Sequence, residues 1–185
     1  VEKSFDLMKK NGVNRFVFKL DNSITNHKTE IGGVATNITS IYEIIEKYKS
    51  WQKKLNKQQL KCLLQEQLHF ELEMFCGLKR NPSKPDEVMM IIGMGGIYSN
   101  IIEDITKFLL PVSQLQLIEK FETLKINQII NGARGKNTLP KNKIVDELLK
   151  YQKLIIENVD INEIDVNPLF ITQTDVYSGD IKIYS

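Results

Sequence analysis

The chain has 185 residues, 42% of them hydrophobic and 26% charged, which is enough for one large domain or two small lobes with a core of their own. A formal net charge of +2, with lysines scattered through helical stretches, offers no footprint for a nucleic acid or a membrane surface, and no apolar run is long enough to span a bilayer. The two cysteines, Cys62 and Cys76, form no Cys-x-x-Cys pair, so neither a disulfide framework nor a zinc site is supported and a reducing, cytoplasmic setting fits best.

No signal-peptide pattern opens the chain. It begins at Val1, not Met, directly in a helical pattern, which leads us to expect further sequence upstream. Phe5, Leu7 and Met8 among charges predict an amphipathic helix over residues 1–10, stopped by Asn11-Gly12. Residues 15–20 read as a short buried strand interrupted by Lys19, a lysine that either snorkels to the surface or points into a site. Residues 21–33 form a polar loop ending in Gly32-Gly33, and a strand starts at Val34. Ser40 with Glu43 three residues later predicts a capping box and a helix to about Leu55, with Tyr48 and Trp51 packed in the core. Residues 61–68 turn from apolar to polar, as a strand leading into a linker does.

Residues 71–78 and 88–92 predict a hairpin through a Pro-containing turn at 81–87, followed by the glycine-rich stretch Gly93-Met94-Gly95-Gly96. His69, beside Phe70, reads by default as a satisfied structural histidine. Helical patterns follow near 113–122, 124–131 and 143–157, with the loop Gly132-Ala133-Arg134-Gly135 between the last two. The end is β again: 161–166, a break at Asn167-Pro168, then 169–172 and 180–184. Strands and helices in separate runs predict an α+β chain in two lobes, residues 1–62 and 63–185.

Three segments could carry chemistry, and each has a plainer reading. His27 with Lys28, ahead of Gly32 and Gly33, could carry or meet a phosphoryl group, or be solvated loop. Gly93-x-Gly95-Gly96 could admit phosphate to backbone N–H groups, or be a tight strand exit; its spacing is neither a dinucleotide fingerprint nor a Walker loop. Glu163-Ile164-Asp165-Val166-Asn167-Pro168, with Asp180 in the next strand, offers hard oxygen ligands suited to Mg²⁺, or is a turn capped by Asn-Pro.

Taken in order, these pieces resemble the ATP-grasp domain of ADP-forming acetyl-CoA (acyl-CoA) synthetases, with succinyl-CoA ligase nucleotide-binding subunits as more distant relatives. The matching stretches are Phe16-Val17-Phe18-Lys19, His27 to Val34, Gln65-Glu66, Glu73, Gly77 to Pro82, Gly93 to Tyr98, Gly132 to Gly135, Glu163 to Leu169 and Gly179-Asp180. The resemblance implies an ATP-grasp fold of two lobes with a nucleotide cleft between them. It also implies the reaction acyl-CoA + phosphate + ADP ⇌ carboxylic acid + CoA + ATP, passing through phosphohistidine. By that carry-over His27 is the phosphoryl carrier that serves ADP. Lys19 and Lys28 meet phosphate, with Gly32, Gly33, Gly95 and Gly96 nearby. Gln65 and Glu66 hold adenine, Glu73 contacts ribose or adenine, and Asn167 and Asp180 bind Mg²⁺.

The implied ligands are ATP or ADP with Mg²⁺. The implied partner is a CoA-binding domain or subunit that carries the first phosphohistidine, in a hetero-oligomer or a longer chain, with no nucleic-acid or membrane partner. The family also has a segment before the first helix that ends in a Gly-Ile-Pro-like stretch, so the first lobe is expected to be incomplete. Gly12-Val13-Asn14 stands where the family has Gly-Tyr-Pro, and Phe108 beside Lys107 where it has a basic residue. The competing function is a non-catalytic scaffold or a nucleotide- or acyl-CoA-sensing module with the same fold.

Overall fold

The apolar periods of the sequence close two separate cores, one in Val1–Leu68 and one in His69–Ser185, in a computed structural model that describes residues 1–21, 31–96 and 99–185. The first unit holds α1 (Glu2–Lys10), β1 (Phe16–Leu20), β2 (Val34–Ile38), α2 (Ile41–Leu55) and β3 (Cys62–Glu66). β1 is the central strand, antiparallel to both neighbours in the order β2-β1-β3. Its alternation buries Phe16, Phe18 and Leu20 completely against Phe5 of α1 and Ile44 and Trp51 of α2. Phe18 stacks on Trp51 at 5.1 Å between ring centroids, and Phe5 meets Phe16 at 4.8 Å. The indole N–H of Trp51 donates to the Gly32 carbonyl at 2.9 Å, tying α2 to the end of the polar loop.

Ser40 is the N-cap of α2 as expected, but the capping box is not closed, since the Glu43 carboxylate accepts the Thr39 N–H and not that of Ser40. Ser40 Oγ accepts the Glu43 N–H at 3.3 Å, and the Glu43 carboxylate reaches back to the Ser40 and Thr39 hydroxyls at 2.9 and 3.0 Å. Those bonds hold the Glu43 carboxyl below its ordinary pKa range. The lobe division differs from the one read after Cys62. β3 pairs with β1 residue for residue, from Phe16 opposite Glu66 to Leu20 opposite Cys62, and the boundary between units falls after Leu68. A strand carrying half of β1's hydrogen bonds cannot leave that sheet.

The second unit holds β4 (Leu72–Asn81), β5 (Lys84–Met94), α3 (Ser99–Ile102), β6 (Ile105–Leu110), α4 (Gln114–Glu122), α5 (Asn127–Ile130), a 3₁₀ turn at Ala133–Gly135, α6 (Lys141–Glu157), β7 (Glu163–Ile171), β8 (Val176–Ser178) and β9 (Ile181–Tyr184). The antiparallel sheet runs β6-β5-β4-β7-β8, with β9 also on β7. One face buries Leu72, Met74, Cys76 and Leu78 of β4 with Met90, Ile92, Ile164 and Val166, against Leu117, Phe121, Ile144, Leu148 and Ile155 of the helices.

Side chains on the opposite face fall in cross-strand rows. One is Lys107–Ile91–Gly77–Asp165–Lys182, and the next is Leu109–Met89–Lys79–Glu163–Tyr184. No helix of this unit covers that face among the described residues. It carries a hollow of about 560 Å³ whose floor includes Phe75, Gly77 and Ile91. The hollow opens where Gly77 brings no side chain to its row.

Three elements differ from the reading of the sequence. The hairpin turn is tighter than 81–87: β5 starts at Lys84, and the register jumps from Arg80 opposite Val88 to Asn81 opposite Lys84. Residues 85–87 bulge there because Pro85 has no N–H to give to a ladder. β7 runs straight through Asn167-Pro168, which the sequence suggested as a break; the pairing with β4 shifts between Met74 and Cys76 and absorbs the proline. β6 was read as no element. As the edge strand it exposes Ile105, Lys107 and Leu109 and buries Phe108 and Leu110.

Candidate functional site

In the second unit the middle of β7 places the backbones of the two expected metal ligands side by side. The Asn167 N–H donates to the Asp180 carbonyl at 3.1 Å, and the Gly179 N–H to the Pro168 carbonyl at 2.8 Å. Gly179 fits this approach because a Cβ there would lie 2.6 Å from the Phe170 ring and 3.0 Å from Pro168. Asn167 is exposed and Asp180 half-buried. Their acidic neighbours each have a lysine: Glu163 pairs with Lys79 at 2.8 Å, and Asp165 with Lys182 at 3.9 Å. Burial pushes the Asp165 carboxyl up; Lys182 pulls it back, and Glu163 and Asp180 add to the rise.

An amide oxygen and a carboxylate inside this negative field are a hard-oxygen pair that fits Mg²⁺, an ion that usually takes one or two carboxylates and completes its shell with water and phosphate. Among the described residues no group of three or more His, Cys, Asp or Glu forms a metal cage. The sequence reading missed Lys182; the signal was its spacing of two from Asp180, which in a strand returns a side chain to the same face.

Glu73, Gly95 and Gly96 come together at the start of β4. The Gly95 N–H donates to the Glu73 carbonyl at 2.8 Å, so this backbone donor is already used inside the chain. Burial raises the Glu73 pKa, and the Gly96 backbone beside the carboxylate lowers it in part. Gly96 has φ +85°, and a Cβ on it would lie 3.5 Å from Glu73 Oε2.

In the first unit Lys19 is half-buried on the face of β1 opposite Phe18, and it is engaged in an interaction of its own. Gln65, opposite Val17, shares that face, whereas Glu66, opposite Phe16, lies on the other. Strand alternation thus separates two neighbours that the sequence reading assigned to one ligand. Gly33 accepts the Leu20 N–H at 2.9 Å, and Gly32 has φ +68°. His27 and Lys28 lie outside the described residues. His69 is exposed, not the satisfied histidine expected beside Phe70.

Two charged residues that look like site candidates are framework. Arg80 is 9% exposed and donates to the carbonyls of Pro85 at 2.7 Å, Ile161 at 3.1 Å and Ile155. Asp104 is 5% exposed and accepts the N–H groups of Lys125 and Ile126 at 2.7 and 2.8 Å, pinning the link between α4 and α5.

Residues 2–184 match the ATP-grasp domain family, and the chain belongs to that family. Within it, the chain is similar to acetate–CoA ligase [ADP-forming] I of Archaeoglobus fulgidus, 26% identical over 154 residues that make up 80% of this chain and 22% of the relative. It is also similar to the acetate–CoA ligase [ADP-forming] I subunit beta of Pyrococcus furiosus, 26% identical over 162 residues, 85% of this chain and 69% of that subunit. A Ca. Korarchaeum cryptofilum acetyl-coenzyme A synthetase 1 shares the fold with a TM-score of 0.76 at 24% identity, over 91% of this chain and 75% of that one. That structure contains coenzyme A and Mg-AMPPCP, with a phosphohistidine segment pointing towards the nucleotide binding site. No helix among the described residues is long and apolar enough to cross a membrane.

Proposed function

We propose that this chain is the nucleotide-binding, phosphoryl-transfer part of an ADP-forming acyl-CoA synthetase, which converts acyl-CoA, phosphate and ADP to a carboxylic acid, CoA and ATP. The observation that carries the reading is the pairing of Asn167 with Asp180 in a sheet of this family. The names of the A. fulgidus and P. furiosus relatives support the reaction class, and the Mg-AMPPCP of the K. cryptofilum protein supports the ligand class.

Asn167 and Asp180 would hold Mg²⁺, which when bound offsets the charge of the phosphate oxygens. Lys19 and Lys28 bring further positive charge to those oxygens. Gln65, on the Lys19 face of its sheet, contacts the adenine end, and Gly32, Gly33, Gly95 and Gly96 allow the backbone to approach phosphate. His27 takes a phosphoryl group on a ring nitrogen: a P–N bond forms to His27 as the bond to the donor histidine breaks. In the next step a P–O bond forms to the terminal oxygen of ADP as the His27 P–N bond breaks. The imidazole attacks in its neutral form, which a reference pKa of about 6.5 provides near neutral pH. The donor histidine and the CoA site belong to a partner domain or subunit, a division supported by the P. furiosus relative being a beta subunit.

Calorimetric titration of ADP and ATP tests the nucleotide site. Affinity should depend on Mg²⁺, and Asp180→Ala should remove that dependence with an unchanged circular dichroism spectrum; equal wild-type affinity with and without the ion contradicts the assignment. The carrier is tested in the complete enzyme. His27→Ala should abolish ATP formation while nucleotide binding stays near wild type, and retained ATP synthesis refutes the relay.

A further inference from the structure

The face of the second sheet that no helix of this unit covers among the described residues carries a further cross-strand row, at the start of β4. It reads Glu73–Phe170–Tyr177, since Phe170 stands opposite Glu73 on β4 and opposite Tyr177 on β8. Leu169 and Ile171 are buried on the helix side, so alternation turns Phe170 to the open side. Phe70, just ahead of β4, stacks on this ring with 4.5 Å between centroids and 28° between planes. Gly179 makes room for the pair, because a Cβ there would lie 2.6 Å from the Phe170 ring. Phe70 is 39% exposed and Tyr177 43%, so this aromatic surface faces water and is not spent on the core. The candidate metal pair stands at the same corner: Asp180 directly follows Gly179, and Asn167 precedes Phe170 on β7. At the other end of the row the Glu73 carbonyl accepts the Gly95 N–H at 2.8 Å.

We propose that the Phe70–Phe170 stack is the platform for the base of a bound nucleotide: the base lies flat on the outer face of Phe70, with Tyr177 beside it and Glu73 in the same row to accept from a ribose hydroxyl. This rests on the reading of the chain as a nucleotide binder and adds the group that holds the flat side of the base. A ring already stacked on a second ring is fixed in orientation, so little rotamer freedom is lost when the base arrives. Every base has a π face, and a purine has more of it than a pyrimidine. The platform therefore prefers purine to pyrimidine and discriminates weakly between adenine and guanine, which differ at their edges and not in their faces.

Calorimetric titration of the full chain with the Mg²⁺ complexes of ADP, CDP and tripolyphosphate separates a base platform from other roles. Phe70→Leu keeps an apolar side chain and removes the π face. ADP should then weaken by about tenfold, the worth of one base–aromatic stack, while tripolyphosphate binds as it does to wild type and the preference for ADP over CDP shrinks. Phe70→Trp should restore ADP affinity or exceed it. The emission it adds to that of Trp51 should be quenched by ADP and not by tripolyphosphate, a signal that a merely structural ring does not give. Unchanged ADP affinity in Phe70→Leu, with no quenching in Phe70→Trp, overturns the platform. So does equal weakening of ADP and tripolyphosphate in Phe70→Leu, which marks a general loosening of the corner. In both cases the nucleotide reading stands as long as wild type binds ADP and Asp180→Ala removes the Mg²⁺ dependence. If wild type binds no ADP, the nucleotide reading fails and the platform falls with it.

Discussion

At the scale of single residues, charge in this chain divides into framework and reactive groups by what surrounds it. Arg80 sits in a stretch that the family resemblance covers, yet its guanidinium is spent on three backbone carbonyls from the last turn of α6, the approach to β7 and the β5 bulge. Arg80→Met keeps the apolar stem and leaves those carbonyls without their donor. It should destabilise the second unit by about 2–4 kcal/mol, since each buried group left unsatisfied costs roughly 1–3 kcal/mol and relaxation recovers part. Urea unfolding followed by far-ultraviolet circular dichroism measures this, and a change below about 0.5 kcal/mol removes Arg80 from the framework. Nothing in the order Gly-Leu-Lys-Arg-Asn-Pro separates such an arginine from one that meets phosphate. The difference lies in Ile155 and Ile161, some 80 residues downstream, so it was not legible from local sequence.

At the scale of elements, legibility followed the strength of the local signal. The capping group Ser40–Glu43 marks the start of α2 because its bonds close within four residues. The strand Phe16–Leu20 was readable because alternation and burial agree along it. β6 was not, since an edge strand with one face in water has no reason to be uniformly apolar, and Lys107 interrupts it. Asn167-Pro168 misled for a related reason. Proline ends a strand when its neighbour needs the missing N–H, and here the register shift opposite Phe75 relieves that need. Asn167 and Asp180 could be named as candidate ligands from the sequence, because an amide and a carboxylate oxygen are visible without the fold. The arrangement of the site was not legible: the split of Gln65 from Glu66 depends on the register against β1, and the bond from the Gly95 N–H to the Glu73 carbonyl on the pairing of β4 with β5.

At the scale of the whole molecule, the two units differ in their means of standing alone. The second packs both ends of β4, three helices and four other strands around one continuous apolar cluster, whereas the first closes its core with a three-stranded sheet and two helices. A core that small buries too little apolar surface to exceed chain entropy by much. Residues 69–185 produced alone should therefore unfold cooperatively, with a midpoint close to that of the second unit in the full chain, while residues 1–68 alone should be largely unfolded at 25 °C. Circular dichroism melts of the two pieces check this; a well-folded 1–68 with a melt above that of 69–185 contradicts it. The sequence places the boundary after Cys62, ahead of the stretch that turns polar at Gln65, whereas hydrogen bonding between β3 and β1 carries the first unit on to Leu68.

Trp51 is the one tryptophan of the chain, and its indole N–H holds the carbonyl of Gly32, two residues ahead of β2. Emission from this ring is set by its stacking on Phe18 and by that single hydrogen bond, both inside the first unit. The molecule thus contains its own optical reporter. Light absorbed at the red edge of the protein band is read out beside Gly32, while the six tyrosines answer at shorter wavelength. A ligand or a phosphoryl group that shifts Gly32 changes the colour of Trp51, with no label attached.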